Sequence, residues 1–339
     1  PSQVLKEAIT HLQSTEYHIH GDMFTILTEL KARVSLLPFG QQRIAMIKEL
    51  DTYSYVFEGC SKVIKEDVLT SEYDADARGR LYHVACAGAN PQASDLARAL
   101  YAHNTENYVS MYNTHDTNCS FTPSYLMFLD ELNECAGQDK FQTKEYLTRV
   151  ANNPVEFLLQ TLAKSLSNNL EDRQNCPKKP FTLVRVALDY VDFQTTGHCD
   201  SRLGFGLDAR CSGTQYFAII AGDSIMGEAT GITTKKKSDT TDPYVMSAKI
   251  LHEKFEYNFA TRAFIKTPYM AVQYGGSSKA LLTSKDNLQN LVDAGVEPND
   301  MASVAENCIE AINEALGVKI NNLKTTVQNT LLDILKDSG

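Results

Sequence analysis

No stretch of this chain approaches the roughly 18 uninterrupted apolar residues of a membrane-spanning helix, and the N-terminus lacks the basic-then-apolar pattern of a secretory signal. Neither a membrane span nor export is therefore supported. The eight cysteines include no Cys-x-x-Cys and no histidine partner at zinc-ligand spacing, which argues against a structural zinc and fits a reducing compartment such as the cytoplasm. Basic residues are not in excess either. A net charge of −10 argues against a general polyanion binder, although a locally basic channel or a basic partner stays compatible with it. Internal repeats and low-complexity linkers are absent. What is present is ordinary for a soluble globular protein: 339 residues, 43% hydrophobic and 22% charged, enough for one large core or two smaller subdomains. Pro1 in place of an initiator methionine points to a processed or trimmed start.

Apolar residues at three- and four-residue steps (Leu5, Ile9, Leu12, then Met23, Leu27, Leu30) predict helices over residues 1–70, with turns near Gly21 and Pro38-Phe39-Gly40. The strongly apolar run from Pro180 to Val191 reads as a strand. It is expected to pair, across a turn at Thr195-Thr196-Gly197, with a second strand, Leu203 to Leu207, that ends at Asp208. From Pro298 onward, Val304, Cys308, Ile312, Leu316, Ile320 and Leu323 mark a helix broken near Gly317. The densest basic run, Lys235-Lys236-Lys237, lies in a polar loop and is read either as a segment near nucleic acid or as a solvated lysine cluster.

Three short stretches carry chemistry. The first, Asp76-Ala77-Arg78-Gly79-Arg80, combines a glycine that lets backbone come close to a partner with two arginines that offer forks to phosphate. A salt-linked surface turn explains it equally well. The second, Leu207 to Phe217, sets Asp208 between an apolar strand and a helix, where a carboxylate is costly to bury without a cation. Its plain alternative is an aspartate that caps the helix. In the third, Arg262, Lys266, Met270 and Tyr274-Gly275 recur every four positions and stay on one broad helical face. Arg262 and Lys266, one turn apart, can grip adjacent phosphates of a triphosphate, with Tyr274 two turns farther on. An amphipathic helix with a solvated basic edge is the alternative, and Thr267-Pro268 offers a different helix start that would separate Arg262 and Lys266 from the rest.

Taken in order, the three stretches resemble the signature of the single-subunit RNA polymerases of bacteriophages and mitochondria. That family carries Asp-x-x-Gly-Arg, then Asp-x-x-Cys-Ser-Gly-x-Gln-x-Phe, then Arg-x3-Lys-x3-Met-x3-Tyr-Gly, here Asp76 to Arg80, Asp208 to Phe217 and Arg262 to Gly275. Leu12 to Tyr17, Asn90-Pro91-Gln92 and Thr196-Gly197-His198 are similar as well, so the likeness runs over most of the chain. The resemblance implies an α+β fold: a polymerase palm, a small antiparallel sheet with helices, over residues 1–224, and a mainly helical fingers subdomain over 225–339. It implies a DNA-dependent RNA polymerase adding NTPs to an RNA 3′ end. Asp208, helped by the carbonyl of Ala209, would bind two Mg²⁺ ions. Arg262 and Lys266 would hold the triphosphate, and Lys266 would also neutralise or protonate the leaving pyrophosphate. Met270 would line the nucleotide site, Tyr274 would monitor the ribose 2′-hydroxyl, and Gly275 would let the template pass. Asp76, Arg78, Gly79 and Arg80 would hold the template and the hybrid through backbone contacts.

Two features depart from the family pattern. Ala209 stands where relatives usually have glycine, and no histidine follows Tyr274, so the downstream His-Asp pair that brings a second catalytic aspartate is missing. The only internal His-Asp pair, His115-Asp116, lies in a polar stretch between the first two motifs. The second aspartate is expected on a separate polypeptide or beyond these residues, as in two-subunit phage members of the family; the expected partners are a DNA template, an RNA product, NTPs and a second subunit. The alternatives are a fragment like the family A DNA polymerases, which usually show phenylalanine where this chain has Met270, and a non-catalytic nucleic-acid-binding subunit.

Overall fold

The computed structural model describes residues 3–65, 68–75, 81–84, 90–104, 108–111, 121–204, 211–233 and 242–337. The chain divides into two compact units, Pro1–Gly206 and Leu207–Gly339. The fold is mainly helical with small antiparallel sheets, in general terms α+β.

In chain order the first unit runs α1 (Gln3–Gln13), β1 (Tyr17–Ile19), α2 (Gly21–Leu36), α3 (Gln41–Asp51), α4 (Ser54–Val63), β2 (Glu72–Ala75), β3 (Leu81–Val84), α5 (Asp95–Leu100), β4 (Tyr101–His103) and β5 (Tyr108–Ser110). It continues with α6 (Pro123–Ala136), α7 (Lys144–Asn152), α8 (Pro154–Ser165), α9 (Leu170–Gln174), α10 (Pro180–Thr196) and β6 (His198–Asp200). The strands pair as three separate antiparallel ribbons, β1 with β4, β2 with β3, and β5 with β6. The helices expected over residues 1–70 are present, and α2 buries Met23, Leu27, Leu30 and Val34 along one stripe.

The expected strand over Pro180 to Val191 is instead the helix α10, which buries Leu183, Val184, Val186, Ala187 and Phe193 against α5, α6 and α7. An uninterrupted apolar run suits a helix buried on most sides as well as it suits a strand, and here the ends decide. Pro180 occupies the first turn, and Gly197 closes the helix in the left-handed region (φ 77°). Thr195 and Thr196 finish the helix rather than forming a hairpin turn, and β6 pairs with β5. Of the second expected strand, Leu203 and Gly204 are not in a strand and residues 205–207 lie outside the described residues. The first main-chain N–H groups of α10 have a distant acceptor. Asp95 takes Phe181 N at 2.8 Å and Thr182 N at 3.1 Å, and the Thr182 hydroxyl at 2.5 Å. Arg185, on the same helix, is fully buried and donates to the carbonyls of Tyr101 and Ala99.

The second unit comprises α11 (Ser212–Ala221), α12 (Ser224–Ala229), α13 (Pro243–Phe255), α14 (Arg262–Gln273), α15 (Ser278–Thr283), α16 (Lys285–Asp293) and α17 (Met301–Asp337). The expected break falls at Gly317, whose φ of 76° no helix accommodates. Helix α17 supplies a central apolar ridge, Val304, Cys308, Ala311, Ile312 and Leu316 before Gly317 and Ile320 after it, on which α13, α14 and α15 pack. The unit boundary after Gly206 comes earlier than the 224/225 division drawn from sequence. It groups α11 with the helices that follow because α11 packs on α12 and α17.

Candidate functional site

Helix α14 is capped by Thr261, whose hydroxyl accepts from Phe264 N at 3.2 Å, and runs through Pro268 without a break. The alternative start at Thr267-Pro268 does not occur. A proline inside a helix removes one N–H and leaves the carbonyl four residues earlier without its donor. Here that carbonyl belongs to Phe264, and the side chain of Asn290 on α16 donates to it at 2.7 Å. The helix therefore keeps one continuous exposed face made of Arg262, Lys266, Met270 and, at its end, Tyr274. The opposite side buries Phe264, Ile265, Pro268, Tyr269, Val272 and Gln273.

Arg262 is held at the N-terminal end of that face. Its Nε and Nη2 donate to Oδ2 of Asp242 at 3.2 and 2.9 Å, and its guanidinium lies 5.1 Å from the centre of the Tyr244 ring. Asp242 is nearly buried and uses its other oxygen to cap α13, taking Tyr244 N at 2.8 Å and Val245 N at 3.4 Å. One carboxylate thus starts a helix and anchors an arginine fork through one edge, so that Nη1 makes no hydrogen bond among the described residues.

At the other end, Tyr274 follows the last helical residue, and Gly275 turns the chain with φ 86°. This positive φ is the conformational reason for glycine here. A Cβ at Gly275 would also lie 3.1 Å from the Gln328 amide of α17. Lys324 donates to the carbonyl of Val272 at 3.2 Å, and Lys319 donates to that of Gly222 at 3.1 Å. Two lysines from α17 therefore neutralise the C-terminal ends of α14 and α11, where helix carbonyls point outward.

The second and third motifs meet in this unit. Cys211 precedes α11 in the left-handed region (φ 55°), a conformation that costs a residue other than glycine about 1–2 kcal/mol. Gly213 then presses on α14 so closely that a Cβ there would fall 2.4 Å from the Gln273 amide nitrogen. The Thr214 hydroxyl, fully buried, accepts from Gln273 Nε2 at 3.0 Å and shares a hydrogen bond with the Tyr269 hydroxyl at 2.9 Å. Tyr269 stacks edge-on against Tyr244, and Tyr244 in turn bonds Cys211. Burial raises both phenols above the ordinary tyrosine range, which keeps them protonated.

Asp208 and Ala209 lie outside the described residues, three and two positions before Cys211. So do Asp76, Arg78, Gly79 and Arg80; the strands on either side of them pair as a ribbon with Ala75 opposite Leu81. Gln92, from the Asn90-Pro91-Gln92 segment, lies along that ribbon, accepting from His83 N at 2.7 Å and donating to the Leu81 carbonyl at 3.1 Å. His115-Asp116 and the Lys235–Lys237 run also fall outside the described residues.

The motif reading passed over Asp242, Thr214, Tyr269, Gln273 and Asn290. Asp242 carries a signal, an aspartate directly before proline at a helix start. The other four carry none, because each works through a partner distant in sequence. Among the described residues no three His, Cys, Asp or Glu side chains converge as metal ligands, and no helix is long and apolar enough to cross a membrane. Comparison with protein-family models finds no match, and comparison with curated proteins finds none either.

Proposed function

We propose that this chain is the palm-and-fingers component of a DNA-dependent RNA polymerase of the single-subunit type, acting with a partner chain or further segment that brings the second catalytic aspartate. The carrying observation is the contact between the start of α11 and the last turns of α14, through Gly213, Thr214 and Gln273. It sets the start of α11, which follows Asp208 in sequence, beside the helix whose exposed face bears Arg262, Lys266, Met270 and Tyr274.

The chemistry follows from those side chains. Arg262, tethered by Asp242, presents a planar fork with little rotational freedom left to lose, and Lys266, one turn on, adds a point charge for a second phosphate. Both neutralise negative charge as pyrophosphate departs. Tyr274 at the helix end faces the sugar of a nucleotide held this way, and the glycine after it leaves room for template backbone. The carboxylate of Asp208 and the carbonyl of Ala209 are hard oxygen donors of the kind Mg²⁺ takes together with substrate phosphates. Two such ions, when bound, stabilise the attacking and leaving oxygens of an in-line phosphoryl transfer.

Nucleotide incorporation on a DNA template, with the chain alone and then with any co-encoded partner, tests the reading. Incorporation of NTPs supports it, and incorporation of dNTPs only supports a DNA polymerase. Template binding with no incorporation in any combination overturns it in favour of a non-catalytic nucleic-acid-binding subunit.

A further inference from the structure

We infer that Thr214 and Gln273 are positioning residues for ribose selection: their buried hydrogen bond fixes the height of Tyr274 relative to the start of α11. The inference rests on the polymerase reading above and deepens it.

Gln273 is the last residue of α14 and the immediate neighbour of Tyr274. Its side chain is buried on the side of the helix opposite the exposed face. An element end is normally the loosest part of a helix, since its last carbonyls lack helical partners. Here the last turn is tied from within. Gln273 Nε2 donates to Thr214 Oγ1 at 3.0 Å, and the same oxygen lies 2.9 Å from the Tyr269 hydroxyl one turn earlier on α14. A single threonine of α11 therefore holds two residues on successive turns of α14, which fixes both the rotation and the axial position of the helix end.

The absence of a side chain at Gly213 lets α11 come this close. A Cβ there would sit 2.4 Å from Gln273 Nε2 and 2.8 Å from its Cδ. A hydroxyl, with one donor and acceptor lone pairs, is the smallest group that serves both an amide and a phenol. An apolar residue of the same shape would leave both buried without a partner. Discrimination between a ribose and a deoxyribose depends on placing one phenol against one hydroxyl, and a displacement of about 1 Å is enough to cost a reacting system up to about a hundredfold.

The test is the ratio of kcat/KM for a ribonucleotide over the matching deoxyribonucleotide, measured on the active chain or complex carrying Thr214→Val, Thr214→Ser or Gln273→Met. Thr214→Val and Gln273→Met are expected to narrow the ratio about tenfold, mainly through a lower kcat for the ribonucleotide, and Thr214→Ser to restore it. A purely structural network would lower the melting temperature of the Val variant and leave the ratio unchanged, and that result overturns the inference alone. Should the Val and Met variants fail to fold, the Ser variant decides: it must keep the wild-type ratio, and a narrowed ratio overturns the inference. A wild-type protein that adds no nucleotide under any combination overturns the polymerase reading and this inference with it.

Discussion

Asn290 donates through Nδ2 to the carbonyl oxygen of Phe264 at 2.7 Å, the oxygen that Pro268 leaves without a main-chain donor. A side chain from α16 thus repairs the one defect in the helix that presents Arg262, Lys266 and Met270. Asn290→Ala is expected to cost about 1–3 kcal/mol in chemical denaturation, since a partly buried carbonyl loses its partner. In a Pro268→Ala background the main chain supplies that donor, so the same substitution should cost well under half as much. Equal costs in the two backgrounds would show that the proline and the asparagine are not coupled.

His20 caps α2 by accepting from Met23 N through Nδ1 at 3.2 Å, which only a neutral imidazole can do. Burial, with the nearby Arg185 adding to it, holds its pKa down from 6.5 to about 3. The unfolded chain therefore binds a proton that the folded chain refuses between those values, so the contribution is fully present above pH 6.5 and is lost as pH falls toward 3. The loss should reach roughly 2–5 kcal/mol. His20→Asn keeps a capping acceptor without the titration, and its stability should fall less steeply than the wild type across that window. Parallel acid slopes for the two proteins would show that His20 is not the titrating group.

The site helix was legible because Arg262, Lys266, Met270 and Tyr274 repeat at a helical period, and the same holds for the kinked C-terminal helix, whose apolar steps continue on either side of Gly317. The helix α10 was not, because Val184, Val186 and Val191 carry strand propensity and an apolar run has no face to display. The groups that settle it lie elsewhere: Asp95 accepts the first N–H groups of α10 from far upstream in the chain. Thr214 and Gln273 escaped for the same reason, since a hydrogen bond between residues so far apart leaves no local pattern.

Asp242 separates two contributions that a single deletion would mix. Asp242→Asn retains an acceptor for Tyr244 N and Val245 N but loses the charge that holds Arg262. Because Arg262 is half exposed, the stability change should stay below about 1 kcal/mol. Freed from its anchor, the guanidinium must be ordered by the nucleotide itself, so KM for NTP should rise several-fold with kcat little changed. Asp242→Ala removes the cap as well and should cost a further 1 kcal/mol or so in stability. An unaltered KM in the Asn variant would remove Arg262 from the triphosphate site.

Asp208→Asn tests the acidic group on which the chemistry turns. The substitution preserves size and one acceptor oxygen while deleting the negative charge, and Mg²⁺ bound through one or two carboxylates tolerates that loss poorly. Nucleic acid, by contrast, is held through its phosphates by basic groups and by main-chain N–H groups, neither of which the side chain of Asp208 provides. Synthesis should therefore disappear in a template-extension assay while template affinity, read by fluorescence anisotropy at fixed salt, stays within about twofold of the wild type. The pairing of the two readings is what discriminates. Lost synthesis with lost binding would make Asp208 a structural residue, whereas retained synthesis would remove it from the reaction and leave the exposed face of α14 as an anion-binding surface without a catalytic partner in this chain.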